Sequence, residues 1–174
     1  MLLRAATPED VLSVARVHVR SWQAAYRNLL PAEYLDRLRP EDRAKHYDFA
    51  TSDPSKPSIT IAVEGGLVVG FATVAPARGP HARGGGELCA LYVDPDWWGR
   101  RLGLALLQQG RSRLREIRFQ DAVLWVMVGN TRAERFYSRD GWTHDGMRRT
   151  ASVWDITVEE IRYRRQLGAD SVER

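Results

Sequence analysis

The chain has 174 residues, 44% hydrophobic and 28% charged, with a formal net charge of +4. That balance suits one domain with a sizeable core and excludes a disordered or membrane-embedded polypeptide. No run approaches the ~18 apolar residues of a membrane span, and the start, MLLRAATPED, lacks the apolar core of a signal peptide, so a cytoplasmic protein with no membrane partner is expected.

Residues 2–6 read as a short strand. Thr7-Pro8-Glu9-Asp10 follows as a helix start, with a Thr cap, Pro at the first helical position and acids in the first turn. Val11, Val14, Ala15 and His18 carry that helix toward Tyr26, with His18 either packed or facing solvent. Pro31 opens a second helix with Tyr34, Leu35 and Leu38 on one face, and Pro40-Glu41-Asp42 opens a third. Residues 51–57 read as a loop. The period then changes to that of strands: 58–64 and 67–75 flank Gly65-Gly66, a two-residue hairpin signal. A glycine-rich loop at 76–86 leads to a strand at 87–93. A helix at 100–117 presents Leu102, Leu106, Gly110, Leu114 and Ile117 as its inward stripe. A strand at 122–128, a helix at 130–139 and two closing strands at 142–146 and 157–165 complete the chain. No repeat or linker divides it, so residues 1–174 are expected to form one α/β domain around a mixed sheet.

Two strand-to-helix turns carry the chemistry. In VDPDWWGRRLGLALL, residues 93–107, a strand ends at Val93 and a helix starts within a few residues. A helix start leaves backbone N–H groups unpaired at its positive end, which suits a phosphate. Gly99 permits close approach of a ligand, and Arg100 and Arg101 add positive charge. Neither a GxxxxGK[ST] loop nor a GxGxxG fingerprint is present. An ordinary turn with surface arginines would show the same residues. The second stretch, VGNTRAERFYSRDGW at 128–142, places Asn130 as a helix cap and Ala133, Phe136 and Tyr137 on one face. Packing explains Ala133 and Phe136, but a buried Tyr137 phenol calls for a partner.

Together the two stretches resemble the GNAT N-acetyltransferases. The first is similar to their acetyl-CoA signature, a strand-ending Val, a Pro, then [Gln/Arg]-x-x-Gly-x-[Gly/Ala]. The second is similar to Asn-x-x-Ala-x-x-Phe-Tyr-x-x-x-Gly-[Phe/Trp], and the element order matches over nearly the whole chain. Two positions depart: Trp98 stands at the Gln/Arg place and Arg101 at the first glycine, with Gly103 at the second. Backbone N–H groups survive both changes, provided that Arg101 keeps helical φ/ψ. The resemblance implies a single-domain α/β fold with a mixed central sheet splayed between strands 87–93 and 122–128, flanked by helices. It implies acetyl-CoA as cosubstrate, and acyl transfer to a primary amine of a small molecule or peptide. The backbone of Leu91, Tyr92 and Val93 would pair with the pantetheine arm. Amides from Gly99 to Leu104, through Arg100, Arg101, Leu102 and Gly103, would hold the pyrophosphate beside Trp98. Asn130, with Ala133 and Phe136 on its helix, would meet the pantetheine, and Tyr137 would protonate the CoA thiolate.

Glu87 is the candidate general base, with a solvated strand-edge carboxylate as the alternative. Cys89, placed on one strand face with Glu87 and Leu91, reads as a buried structural thiol, since no histidine adjoins it to activate a nucleophile. As the only cysteine it also excludes an intramolecular disulfide and a cysteine-based zinc site. The four histidines show no ligand spacing, so no metal is expected. Trp22, Tyr26, Tyr34 and Trp125, with Trp154, either line an acceptor pocket or pack the helices together. Of 26 basic residues only Lys45 and Lys56 are lysine. The skew fits either a polyanion-binding surface or GC-rich codon usage, and no nucleic-acid motif accompanies it. An acyl-CoA sensor without catalysis and a nucleic-acid module are the competing functions. A homodimer is compatible with the family.

Overall fold

A computed structural model describes residues 1–50, 53, 55–79, 82 and 84–168. The expected loops at 51–57 and 76–86 and the C-terminal end lie partly outside the described residues. Seven strands form one sheet in the order β1-β2-β3-β4-β5-β7-β6. They are β1 (Leu2–Ala5), β2 (Ser58–Glu64), β3 (Leu67–Pro76), β4 (Gly86–Val93), β5 (Asp121–Met127), β6 (Thr143–Val153) and β7 (Ile156–Gln166). The helices are α1 (Val11–Ala25), α2 (Ala32–Arg37), α3 (Pro40–Ala44), α4 (Leu102–Glu116) and α5 (Thr131–Arg139). Neighbouring strands run antiparallel except β4 and β5, whose parallel pairing needs the crossover that α4 supplies.

Helices cover both faces. On one, Leu102, Leu106, Leu107 and Leu114 of α4 pack against Leu88, Leu124 and Val126. On the other, Val14 and Val17 of α1 meet Ile61 and Phe71, and farther along Trp22 and Tyr26 join Leu35, Met127 and Val158. Each fully buried Leu or Val contributes about 1.5–3 kcal/mol over an exposed one, which is why the two apolar helix faces determine the layering. Gly65 and Gly66 both have positive φ (55° and 82°), as a two-residue hairpin requires.

Two irregularities position the site. The β4–β5 ladder pairs Gly86 with Ala122 and Glu87 with Val123, and no pairing follows. The rest of β4, through Val93, therefore runs without a partner on that side, which is the expected splay. In the β3–β4 ladder Thr73 pairs with Ala90 but Val74 with Leu88, so Cys89 is an unpaired bulge residue. A bulge shifts the alternation of side chains by one. Leu88 and Leu91 both join the α4-side core, whereas Tyr92 packs among the α1-side aromatics. The placement of Glu87, Cys89 and Leu91 on one face is therefore corrected: the bulge sends Leu91 to the opposite face from Glu87.

The closing strands are longer than expected, and they form one hairpin. Its turn is Trp154-Asp155, both with positive φ (49° and 62°). β6 is an edge strand with mostly exposed residues, so it lacks the apolar alternation that marks a strand in sequence.

Candidate active site

The first turn is held from three sides. Asp94 accepts at Oδ1 from the Asp96 N–H (3.0 Å), which shapes the 3-10 turn Pro95–Trp97. Arg20 of α1 clamps it, with Nε 2.7 Å from Asp94 and Nη2 2.8 Å from Asp96. The Val93 carbonyl accepts twice, from Ser21 Oγ (2.9 Å) and from the Trp98 indole N–H (2.7 Å). Gly99 follows with φ 79°, then Arg101 with φ 61° and ψ 7°. Arg101 was expected to be helical and is not: it takes the left-handed conformation, which glycine alone adopts without strain. It also explains why α4 starts at Leu102 and not at residue 100.

The first amide of α4 that bonds back within the helix is Ala105, to Arg101 O (3.1 Å). Leu102, Gly103 and Leu104 thus present the unpaired amides of a helix start. The Leu102 side chain is buried and Leu104 is exposed. Phe136 of α5 packs close to the turn here: a Cβ built on Gly103 would lie 3.5 Å from Phe136 Cζ, in ordinary van der Waals contact. Arg100 lies over the Trp97 ring at 4.6 Å.

The second turn behaves as expected. Asn130 Oδ1 accepts from the Ala133 N–H (3.2 Å) and caps α5. Ala133 and Phe136 pack on the α4-side core, and Tyr137 is buried in it. Burial pushes the Tyr137 phenol well above its usual pKa, and Tyr92 beside it acts in the same direction. Tyr137 therefore holds its proton throughout the neutral range.

Glu87 lies at the last paired step of the splay. Burial raises its carboxyl pKa, Glu160 of β7 raises it further, and Arg149 and the Arg78 backbone oppose the shift. Glu160 is itself held by Arg149 Nε (2.6 Å). Arg149 and Arg162 lie over the Trp125 ring at 4.1 and 5.7 Å, so Trp125 is capped by guanidinium groups. Cys89 is solvent-exposed and not a buried thiol: it is the unpaired residue of the bulge. Surrounding protein atoms nevertheless desolvate its thiol and push the pKa up to about 12, with Glu87 contributing. That thiol is unreactive at neutral pH.

Trp22, Tyr26 and Tyr34 do pack α1 and α2, and they do so around the hairpin tip. Trp22 stacks on Trp154 (4.3 Å) and donates to the Tyr92 hydroxyl (3.1 Å), while the Tyr34 hydroxyl donates to Trp154 O (2.8 Å). Tyr26 is buried, its pKa raised by desolvation and by Tyr92, Tyr137 and Glu160 nearby. His18 is buried among the same rings, 2.5 Å from the Tyr47 hydroxyl, with its pKa well below the usual value. Sequence reasoning missed Glu160 and Arg149. The alternation of Glu160, Arg162 and Arg164 was visible, but their register opposite Met127, Trp125 and Val123 was not.

A family model described as "Acetyltransferase (GNAT) family" matches residues 20–142. The uncharacterized N-acetyltransferase YuaI of Bacillus subtilis strain 168 is 32% identical over 129 residues, covering 74% of this chain and 72% of that protein. A mycothiol acetyltransferase of Sanguibacter keddieii is 41% identical over 88 residues, which are 49% of this chain and 28% of that protein. Among solved structures, the PaiA N-acetyltransferase of Thermoplasma acidophilum in complex with coenzyme A superposes with a TM-score of 0.74. It is 16% identical, with 95% of this chain and 98% of that chain covered. Unpaired amides at the head of α4, an opened β4 edge and a family match spanning both turns lead to one assignment: the chain belongs to the GNAT acetyltransferase family.

Proposed function

We propose that the protein transfers the acetyl group of acetyl-CoA directly to a primary amine of a small molecule or peptide. The observation that carries this reading is the β4 edge beyond Glu87. It is free of a strand partner along its length and runs into the unpaired amides of Leu102, Gly103 and Leu104. An extended amide-bearing arm ending in a pyrophosphate fits that track. Leu91 and Tyr92 would pair with the pantetheine, while Val93 closes the run because its carbonyl already has two donors. The backbone from Gly99 to Leu104 would take the pyrophosphate. Asn130, Ala133 and Phe136 would border the arm from α5, the Asn130 side chain being committed to its cap.

Acetyl-CoA supplies the activated thioester. An amine with pKa about 10.4 is mostly protonated at neutral pH and must lose a proton to attack. Glu87, with Glu160 close by, gives the cleft two carboxylates that draw an ammonium in, and Glu87 takes its proton directly or through water. The nitrogen then adds to the carbonyl carbon, the tetrahedral intermediate collapses, and the C–S bond breaks. Tyr137, still protonated because it is buried, gives its proton to the departing thiolate. The same buried phenol favours catalysis over an acyl-CoA sensor, since sensing needs no proton donor at that point.

The test is incubation with acetyl-CoA and a panel of amines: amino acids, polyamines, aminoglycosides and peptides with free N-termini. Mycothiol-related amines join the panel because a relative is a mycothiol acetyltransferase. Mass spectrometry should find one amine class gaining a single acetyl group. No acetylated product from any class, with acetyl-CoA bound, would reject transfer in favour of sensing.

A further inference from the structure

Arg132 is the second residue of α5. Its guanidinium carbon lies 3.6 Å from the centre of the Trp98 ring. Among the described residues it makes no ion pair or hydrogen bond, although the chain is otherwise rich in arginine–carboxylate pairs such as Arg20 with Asp94 and Asp96. Partial desolvation draws its pKa down from the usual arginine value, as expected of a cation that no carboxylate compensates.

Its position is fixed at both ends. Arg132 and Phe136 are four residues apart and share one face of α5. Phe136 meets Gly103 and Arg132 meets Trp98, so the pair grips the phosphate turn on both sides of the left-handed Arg101. Trp98 is in turn fixed by its N–H on the Val93 carbonyl. The flat face of Trp98 is thus a rigid platform, and among the described residues the one charge on it comes from α5. A guanidinium from a separate helix thus rests on the indole of this turn.

We propose that Arg132, parked on the Trp98 ring beside the head of α4, is a phosphate-binding residue for CoA. This rests on acetyl-CoA being the cosubstrate and is independent of which amine accepts the acetyl group. A guanidinium has five donors in a planar fork that suits phosphate oxygens, and stacking reduces the rotamer freedom it loses on binding. CoA offers two sources of that chemistry, the pyrophosphate and the 3′-phosphate of the ribose.

The experiment is calorimetric titration of the full chain with CoA and with dephospho-CoA, which lacks the 3′-phosphate. The parent is compared with Arg132→Gln and Arg132→Lys, and each variant's melting temperature serves as the fold control. The residue is exposed, so both variants should fold. Loss of one charge-assisted phosphate contact should weaken CoA binding by on the order of tenfold in Arg132→Gln. Arg132→Lys should recover part of that loss, and the variant's affinity should depend less steeply on salt. If the penalty is the same for dephospho-CoA, the contact is to the pyrophosphate. If it disappears, the contact is to the 3′-phosphate. Parental CoA affinity in a folded Arg132→Gln variant would overturn the proposal, and CoA binding by the parent keeps that failure separate from a failure of the cosubstrate assignment.

Discussion

The Trp98 indole N–H donates to the carbonyl of Val93 at 2.7 Å, five residues back across the turn. Val93 ends β4 and Trp98 precedes the left-handed step into α4, so this bond closes the loop that presents the phosphate-binding amides. Trp98→Phe keeps the ring and loses the donor, and Ser21 still bonds the same carbonyl. Its cost should be about 1 kcal/mol, with modest weakening of CoA binding. Trp98→Ala also removes the ring beneath Arg132, and should lose more stability and bind CoA several times more weakly than Trp98→Phe. Thermal melts and CoA titrations of the two variants check the order; equal values for both would remove the ring from the account.

Tyr137→Phe keeps the ring and its packing and removes only the proton donor. Turnover limited by chemistry should fall by on the order of 10²-fold while acetyl-CoA affinity stays close to that of the parent. Single-turnover kinetics alongside equilibrium binding measure the two effects separately. Unchanged turnover would take Tyr137 out of the acid role.

Glu87 carries the pH dependence. Burial raises its folded pKa, so the base is lost on acidification at a higher pH than for an ordinary carboxylate. The parent's kcat/KM should show that acid limb. Glu87→Gln should lack it, with the deficit largest at neutral pH and narrowing in alkali, where the acceptor amine is itself deprotonated. Stability should move the other way. A raised folded pKa means that the protonated form is favoured on folding, and this contribution is lost as pH rises through that pKa. At neutral pH Glu87→Gln should therefore melt no lower than the parent. Parallel pH–rate profiles at equal rates would place the base elsewhere.

Arg101 holds a conformation that costs a non-glycine residue on the order of 1 kcal/mol or more. Arg101→Gly relieves that strain but loosens the unfolded chain by a comparable amount. It should therefore fold normally and keep CoA binding within a few-fold. Arg101→Val puts a β-branched residue in the same conformation and should both melt lower and bind more weakly. The comparison is read from melting curves and titrations, and a valine variant equal to the glycine variant would show that the left-handed step does not matter to the turn.

Much of this architecture was legible because it rests on local chemistry. Gly65-Gly66, the Asn130 cap and the α4 stripe each act within a few residues, and each is found where the sequence put it, whereas Pro8 opens a 3-10 turn, Pro8–Asp10, and α1 starts only at Val11. What was not legible depends on pairing. The Cys89 bulge arises from the register of β3 on β4, and it sends Glu87 and Leu91, four residues apart, to opposite faces, which simple alternation cannot do. Arg101 reads as a good helix former, and only the geometry of the turn forces it left-handed. β6 was legible only as far as residue 146, because the rest of an exposed edge strand needs no apolar face. Glu160 and Arg149 escaped notice, since their meaning comes from lying across the sheet from Glu87 and over Trp125.

Calorimetric titration with acetyl-CoA, followed by a melt at saturation, tests the central claim most directly. The account predicts binding in the micromolar range, about −8 kcal/mol. At about 100 times the dissociation constant, acetyl-CoA should stabilise the fold by about 2.7 kcal/mol. NAD and ATP should bind more weakly. No heat and no shift in melting temperature with millimolar acetyl-CoA would contradict the account.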